Sequence, residues 1–133
     1  MDTPSDLARS SMPFCVTLDM TTVEATPSRV VVTMPWSADR CTIGGATHGG
    51  ALMALADSAG AVCAYLNLPE GATGTSTIQS ATNFLGAVRE GTAEATATPV
   101  HTGRSTIVVA TEVRVDGRLV AVTTQTQSVL GAR

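Results

Sequence analysis

Asp57 is the only Asp, Glu, Lys or Arg between Cys41 and Pro69, and it sits in a run, Ala51 to Leu66, of otherwise apolar or small residues. Burying a lone carboxylate without partners is costly, so a chain that keeps one in an apolar segment has a use for it. Directly upstream stands Gly44-Gly45-Ala46-Thr47-His48-Gly49-Gly50. Glycines let the backbone turn tightly and approach a ligand closely. The first N–H groups of a helix lack internal partners and lie at the positive end of its dipole. A developing oxyanion placed there gains about 2.7–4 kcal/mol per well-aimed donor. On one helix Gly50 and Asp57 stand about 10 Å apart at 1.5 Å per residue. That is too far to serve one ligand atom, so joint action calls for two subunits.

The elements that must position these groups follow from periodicity. Leu52, Leu55, Ala56, Ala59, Val62, Cys63 and Leu66 recur at helical spacing, and Pro69-Glu70-Gly71 ends the pattern. Phe14 to Val23 and Arg29 to Met34 read as strands ahead of the helix, with a Gly-rich loop from Pro35 to Thr47. Behind it, Thr75–Leu85, Thr92–Val100, Ser105–Val115 and Leu119–Val129 read as four strands of Val, Ile, Thr and Ala. Asp116-Gly117 is a hairpin turn, because Gly supplies the positive φ. An apolar helix between two strands and a four-strand meander needs a sheet that curls around it, or a second subunit to cover it.

The 133 residues suit a single domain spanning 1–133, with the polar, Pro- and Ser-bearing residues 1–12 as a flexible arm. Charged residues reach only 14%, against about 25% in ordinary soluble domains, which points to surface covered by other copies of the chain. A net charge of -3 and 3% aromatics argue against nucleic acid as a partner. The three cysteines, Cys15, Cys41 and Cys63, have no CxxC spacing and read as reduced thiols. His48 and His101 are not at ligand spacing with any Cys or carboxylate, so no metal is expected. The apolar helix carries Asp57 and reads as a core helix, not a membrane span. Nothing resembles a leader, and a cytoplasmic location is expected.

The segment His48-Gly49-Gly50-Ala-Leu-Met-Ala-Leu-Ala-Asp57 resembles the His-Gly-Gly-(six residues)-Asp signature of hotdog-fold acyl-CoA thioesterases of the phenylacetate-pathway (PaaI-like) type. Thr77 to Leu85, followed by Arg89-Glu90-Gly91, is similar to the next landmark of that family, and the likeness runs from about Trp36 to Leu130. The resemblance implies an α+β hotdog, a curved antiparallel sheet wrapped around one long helix, assembled as a dimer or tetramer with active sites at the subunit interface. It implies hydrolysis of an aromatic or medium-chain acyl-CoA to free acid and CoA, with CoA as part of the substrate and no separate cofactor.

Residue by residue, the Gly50 amide would polarise the thioester carbonyl, and Asp57 of the facing subunit would act as general base or nucleophile. Thr77 would position the attacking water. His48 would orient the turn, with Gly49 close to the substrate. Gly103-Arg104-Ser105 would contact the nucleotide and pantetheine arm, and Arg89 would add charge near the phosphates. Where the family commonly has Asn or Gln, six residues before His48, this chain has Thr42, a shorter side chain without an amide NH2.

Two other functions share these residues. A hotdog hydratase or dehydratase acting on enoyl thioesters wants an Asp–His pair, which here must form between subunits. An acyl-CoA-binding protein would hold the ester without cleaving it. The plain structural alternatives are Asp57 pairing with Arg40, His48 as a hydrogen-bonded turn residue, Arg104 as a solvated charge and Thr77 as a β-former.

Overall fold

The computed structural model describes residues 4–131. In chain order it comprises α1 (Pro4–Ser11), α2 (Pro13–Thr17), β1 (Thr21–Thr26), β2 (Arg29–Pro35), α3 (Gly49–Leu66), β3 (Gly74–Phe84), β4 (Thr92–Thr102), β5 (Thr106–Val115) and β6 (Arg118–Leu130). Two short 3-10 turns, Ala38–Arg40 and Ile43–Gly45, lie in the loop before α3. The six strands form one antiparallel sheet in the order β1-β2-β4-β5-β6-β3.

The sheet wraps α3. Leu52, Leu55, Ala56, Ala59, Val62 and Cys63 turn toward Val30, Val32, Ala95, Ile107, Val109 and Val113, and all of them are buried. By length and composition α3 could cross a bilayer, yet half of it is covered by its own sheet and it carries Asp57. The expected helix and four downstream strands are all present within a few residues of their expected ends. Asp116 (φ 49) and Gly117 (φ 80) form the β5–β6 hairpin turn from two left-handed residues.

The N-terminal region departs from expectation. The first part of the expected strand, Phe14 to Val23, is instead the helical turn α2, and β1 begins only at Thr21. Pro13 explains this: it has no N–H for a ladder and its fixed φ suits the first helical position. Helical spacing then buries Cys15 and Leu18 and leaves Phe14 and Val16 exposed. The expected flexible arm contains α1, whose Ala8 is fully buried, while Arg9 Nη1 donates to Met20 O at 2.8 Å. Residues 1–3 lie outside the described ones.

The two sheet edges differ. β1 is packed against by α1. β3, eleven residues long, runs along the other edge with Ile78, Phe84 and the following Leu85 exposed. Natural proteins seldom leave a long edge strand unpaired.

Candidate active site

Asp57 sits midway along α3, half-buried, facing the inner side of β3 and β6. Thr77 Oγ1 donates to its Oδ1 at 3.1 Å, and Gln125 Nε2 donates to the same oxygen at 3.0 Å. Gln127 Nε2 in turn donates to Thr77 Oγ1 at 2.6 Å. One carboxylate oxygen is thus fixed by two donors, and Oδ2 has no partner among the described residues. Arg40 plays no part, since its Nη2 donates to Pro35 O.

The aim of Thr77 depends on a β-bulge. The inward positions of β6, namely Ala121, Thr123, Gln125 and Gln127, pair with Phe84, Thr82, Ser80 and Thr77 of β3. Strict alternation from Ser80 would turn Ile78 inward. The register instead shifts between Thr77 and Gln79, which leaves Ile78 63% exposed and points the Thr77 hydroxyl at Asp57.

Gln125 and Gln127, exposed by only 0% and 1%, are the functional residues that sequence reasoning missed. They stand two apart on β6, on the side that faces the core, where each polar group needs a partner. The Asp57 carboxylate requires Nε2 of Gln125 to face it, which leaves buried Oε1 without a polar partner. That oxygen lies against Gly60, where a Cβ would stand 1.9 Å away. Only the Gly60 Cα–H fits there, as a weak donor. The absence of a side chain at Gly60 lets Gln125 reach Asp57.

The turn before α3 forms the second group. His48 is the N-cap, and its Nδ1 accepts the Gly50 N–H at 2.8 Å. The Gly50 amide, expected to polarise a carbonyl, is therefore occupied. Ala51 N–H goes to His48 O at 2.9 Å. The donor left without an acceptor among the described residues is the Gly49 N–H. Accepting through Nδ1 also leaves the His48 proton on Nε2, as a second donor on an exposed ring. The Phe84 ring, at the far end of β3, packs on Gly49, with its Cζ 3.1 Å from where a Cβ would stand. The Cys41–Thr47 bridge and the Thr42 N–H to Ala46 O bond bring Thr42 to the rim of this turn, with its side chain exposed.

The anion-binding candidates divide between the groups. Gly103-Arg104-Ser105 forms the β4–β5 turn, at the sheet end where Ile107, Gln127 and Thr77 stand in one row, so it belongs with Asp57. Arg104 is exposed and has no hydrogen-bond partner among the described residues. Arg89 Nε donates to Gly44 O at 3.4 Å, beside the turn that carries His48. Within one chain, then, Asp57, Thr77 and Arg104 form one group, and Thr42, His48, Gly49, Gly50 and Arg89 a second, separate one. Cys63 takes no part: it is buried in the core, and burial pushes its thiol up to about 11. No group of three or more potential metal ligands occurs among the described residues.

A strongly curved antiparallel sheet around one central helix, with a carboxylate on that helix and a Gly-rich turn at its start, defines a hotdog-fold protein. The family model described as "Thioesterase superfamily" matches residues 44–122, and the chain belongs to that superfamily. A Bacillus subtilis protein named "Putative esterase ComA2" is 38% identical over 86 residues, which are 65% of this chain and 68% of that protein. A Vibrio cholerae protein, also named as an esterase of that kind, is 34% identical over 117 residues, 87% of this chain and 77% of its own length. Among solved structures, a thioesterase from Haemophilus influenzae superposes with a TM-score of 0.89 at 27% identity, covering 98% of this chain and 92% of that one.

Proposed function

We propose that two copies of this chain pair along β3 and hydrolyse acyl-CoA thioesters at sites shared between them. The observation that carries this is the division of the site. Asp57 is bonded to Thr77 near the start of β3, whereas the free Gly49 amide lies under Phe84 at its end. Antiparallel pairing of two β3 edges about a dyad near Ser80 and Ala81 sets Thr77 of one copy opposite Phe84 of the other. Asp57 of one copy then faces Gly49 of its partner, and the open edge of the sheet is covered.

In that arrangement the Gly49 N–H at the helix N-terminus, together with His48 Nε2–H, receives the thioester carbonyl oxygen. Thr77 and Gln125 hold the carboxylate through Oδ1 and leave Oδ2 of Asp57 to act. As a general base, Oδ2 takes a proton from water while the oxygen of that water bonds to the carbonyl carbon. The tetrahedral oxyanion rests on Gly49, the C–S bond breaks, and the CoA thiolate takes the proton back from Asp57. As a nucleophile, Oδ2 bonds to the carbonyl carbon itself and the C–S bond breaks to release the CoA thiolate; water then cleaves the resulting anhydride to free acid and the restored carboxylate, and the thiolate takes up the proton that this frees. Arg104 of the Asp57-bearing copy and Arg89 of the other flank the site as cations for CoA phosphates.

A hydratase is the weaker reading on one observation. It would use His48 as an acid–base group, and here Nδ1 is committed to capping α3. The test is thiol release from a panel of acyl-CoAs by wild type, Asp57→Ala and Asp57→Asn. Loss of a positioned base or nucleophile removes about 10²–10⁴ in rate. Undiminished hydrolysis by Asp57→Ala would remove this carboxylate from the chemistry.

A further inference from the structure

Gln127 is a carboxamide set in the core. Its row neighbour on β5 is the fully buried Ile107, and among the described residues its side chain has one hydrogen-bond partner, Thr77 Oγ1 at 2.6 Å. A buried amide and hydroxyl that satisfy each other gain little over apolar groups of the same shape. Stability therefore does not account for the pair. The next bond in the chain does, because the Thr77 hydroxyl gives its hydrogen to Asp57 Oδ1.

The directions of these bonds follow from what each group has to offer. A threonine hydroxyl carries one hydrogen and two lone pairs, an ionised carboxylate only accepts, and a carboxamide nitrogen only donates. With Gln127 Nε2 on one side and Asp57 Oδ1 on the other, the hydroxyl has a single orientation: it accepts from Gln127 and donates to Asp57. One lone pair of Oγ1 is left, on a residue that is exposed in the single chain. Having no second hydrogen, Thr77 can hold a water only as its acceptor.

We propose that Gln127 is a positioning residue for hydrolysis, which fixes the orientation of the Thr77 hydroxyl so that Thr77 braces Asp57 and shows the attacking water a lone pair. This rests on the hydrolase reading of Asp57. The sense of the bond matters to the chemistry. A water that gives one hydrogen to Asp57 Oδ2 and the other to Thr77 Oγ1 keeps its own lone pair for the carbonyl carbon. A hydroxyl turned the other way would donate to that lone pair, blunt the nucleophile and withdraw support from Oδ1. Gln127 makes no hydrogen bond to Asp57 itself, so its effect runs through Thr77.

The experiment measures kcat and KM with one acyl-CoA for Gln127→Met and Gln127→Glu, each alone and combined with Thr77→Ser or Thr77→Val. Met is close to Gln in shape and donates nothing, so kcat should fall about 3- to 10-fold with KM unchanged. An ionised Glu accepts from Thr77 and turns the hydroxyl away from Asp57, and kcat should fall about 10- to 100-fold. Both losses should persist beside Thr77→Ser, which keeps the hydroxyl, and disappear beside Thr77→Val, which has none to orient. Should Gln127→Glu fail to fold, the Met variants decide. In urea the double variant Thr77→Val/Gln127→Met should be more stable than Thr77→Val, whose buried amide has lost its partner. A Gln127→Met protein with the kcat of wild type overturns the proposal and leaves the hydrolase reading intact. Equal losses with and without the Thr77 hydroxyl would show that Gln127 acts through packing, and overturn it too. A wild type that releases thiol from no acyl-CoA would instead defeat the hydrolase reading and this proposal with it.

Discussion

Gly60→Ala changes nothing that touches substrate, yet it should damage the site. In an exposed helix the exchange stabilises by about 1 kcal/mol, because Gly is the poorer helix former. Here the new methyl would stand 1.9 Å from Gln125 Oε1 and 2.5 Å from its carboxamide carbon. Gln125 is fully buried, so its amide cannot swing into water and must back away from α3. Overpacking of that kind costs about 1–3 kcal/mol, which cancels or outweighs the helix gain. The displaced amide gives up its bond to Asp57 Oδ1, and a hydrogen bond to a charged group is worth about 1.5–3 kcal/mol. At 1.36 kcal/mol per decade that bounds the loss in kcat at roughly 10- to 100-fold. Thiol release with a saturating acyl-CoA and urea unfolding read the two effects separately. The double variant Gly60→Ala/Gln125→Ala should regain stability, because the methyl fills the vacated space, without regaining kcat. A Gly60→Ala protein that is more stable than wild type and equally active would refute the role given to Gln125.

Gly49→Pro removes the one backbone N–H assigned to the carbonyl oxygen and suits the helix, since proline is favoured at its first position and His48 (φ -58, ψ 135) already has the conformation a residue before proline prefers. It should lower kcat by about 10²–10³-fold, whereas Gly49→Ala, which keeps the N–H, should lose far less. Thr77→Val should lower kcat with little change in KM, because it removes one of two donors to Asp57 and leaves Gln127 Nε2 without its acceptor. For Cys63, burial raises the thiol from 9.0 to about 11. Between these values the unfolded chain has released a proton that the folded chain keeps, so stability falls as pH rises through the window. Urea unfolding of Cys63→Ala should show a smaller fall there. At pH 8 a thiol reagent should modify half-exposed Cys41 in the native protein and reach Cys63 only on unfolding.

The helix and the four-strand meander were legible in the sequence because period and punctuation agree there: apolar residues at helical spacing before Pro69, then β-branched runs ended by Gly. The N-terminal region was not. Phe14, Val16, Leu18 and Met20 alternate as a strand would, and only Pro13 signals the helical turn that overrides the alternation. At the site, Asp57, His48 and Thr77 were legible as residue types, and the separation of the turn before α3 from Asp57 followed from helix rise alone. The identity of the free amide was not, because it depends on the His48 ring capping Gly50 and leaving Gly49. Gln125 and Gln127 escaped notice because Thr123 to Gln127 is polar on both faces, so no alternation shows which face turns inward. The bulge at Ile78 that aims Thr77 has no mark in the sequence, since it arises from pairing with β6.

A complementation assay asks whether one site is built from two chains. Asp57→Ala and Gly49→Pro are each expected to be inactive, and are mixed under conditions that allow subunit exchange, followed by native mass spectrometry. In a two-fold dimer half of the assemblies become mixed, and each mixed dimer has one intact site of two, so activity should return to roughly a quarter of wild type. Mixed dimers that form and remain as inactive as their parents would contradict a site shared between Asp57 of one copy and Gly49 of the other.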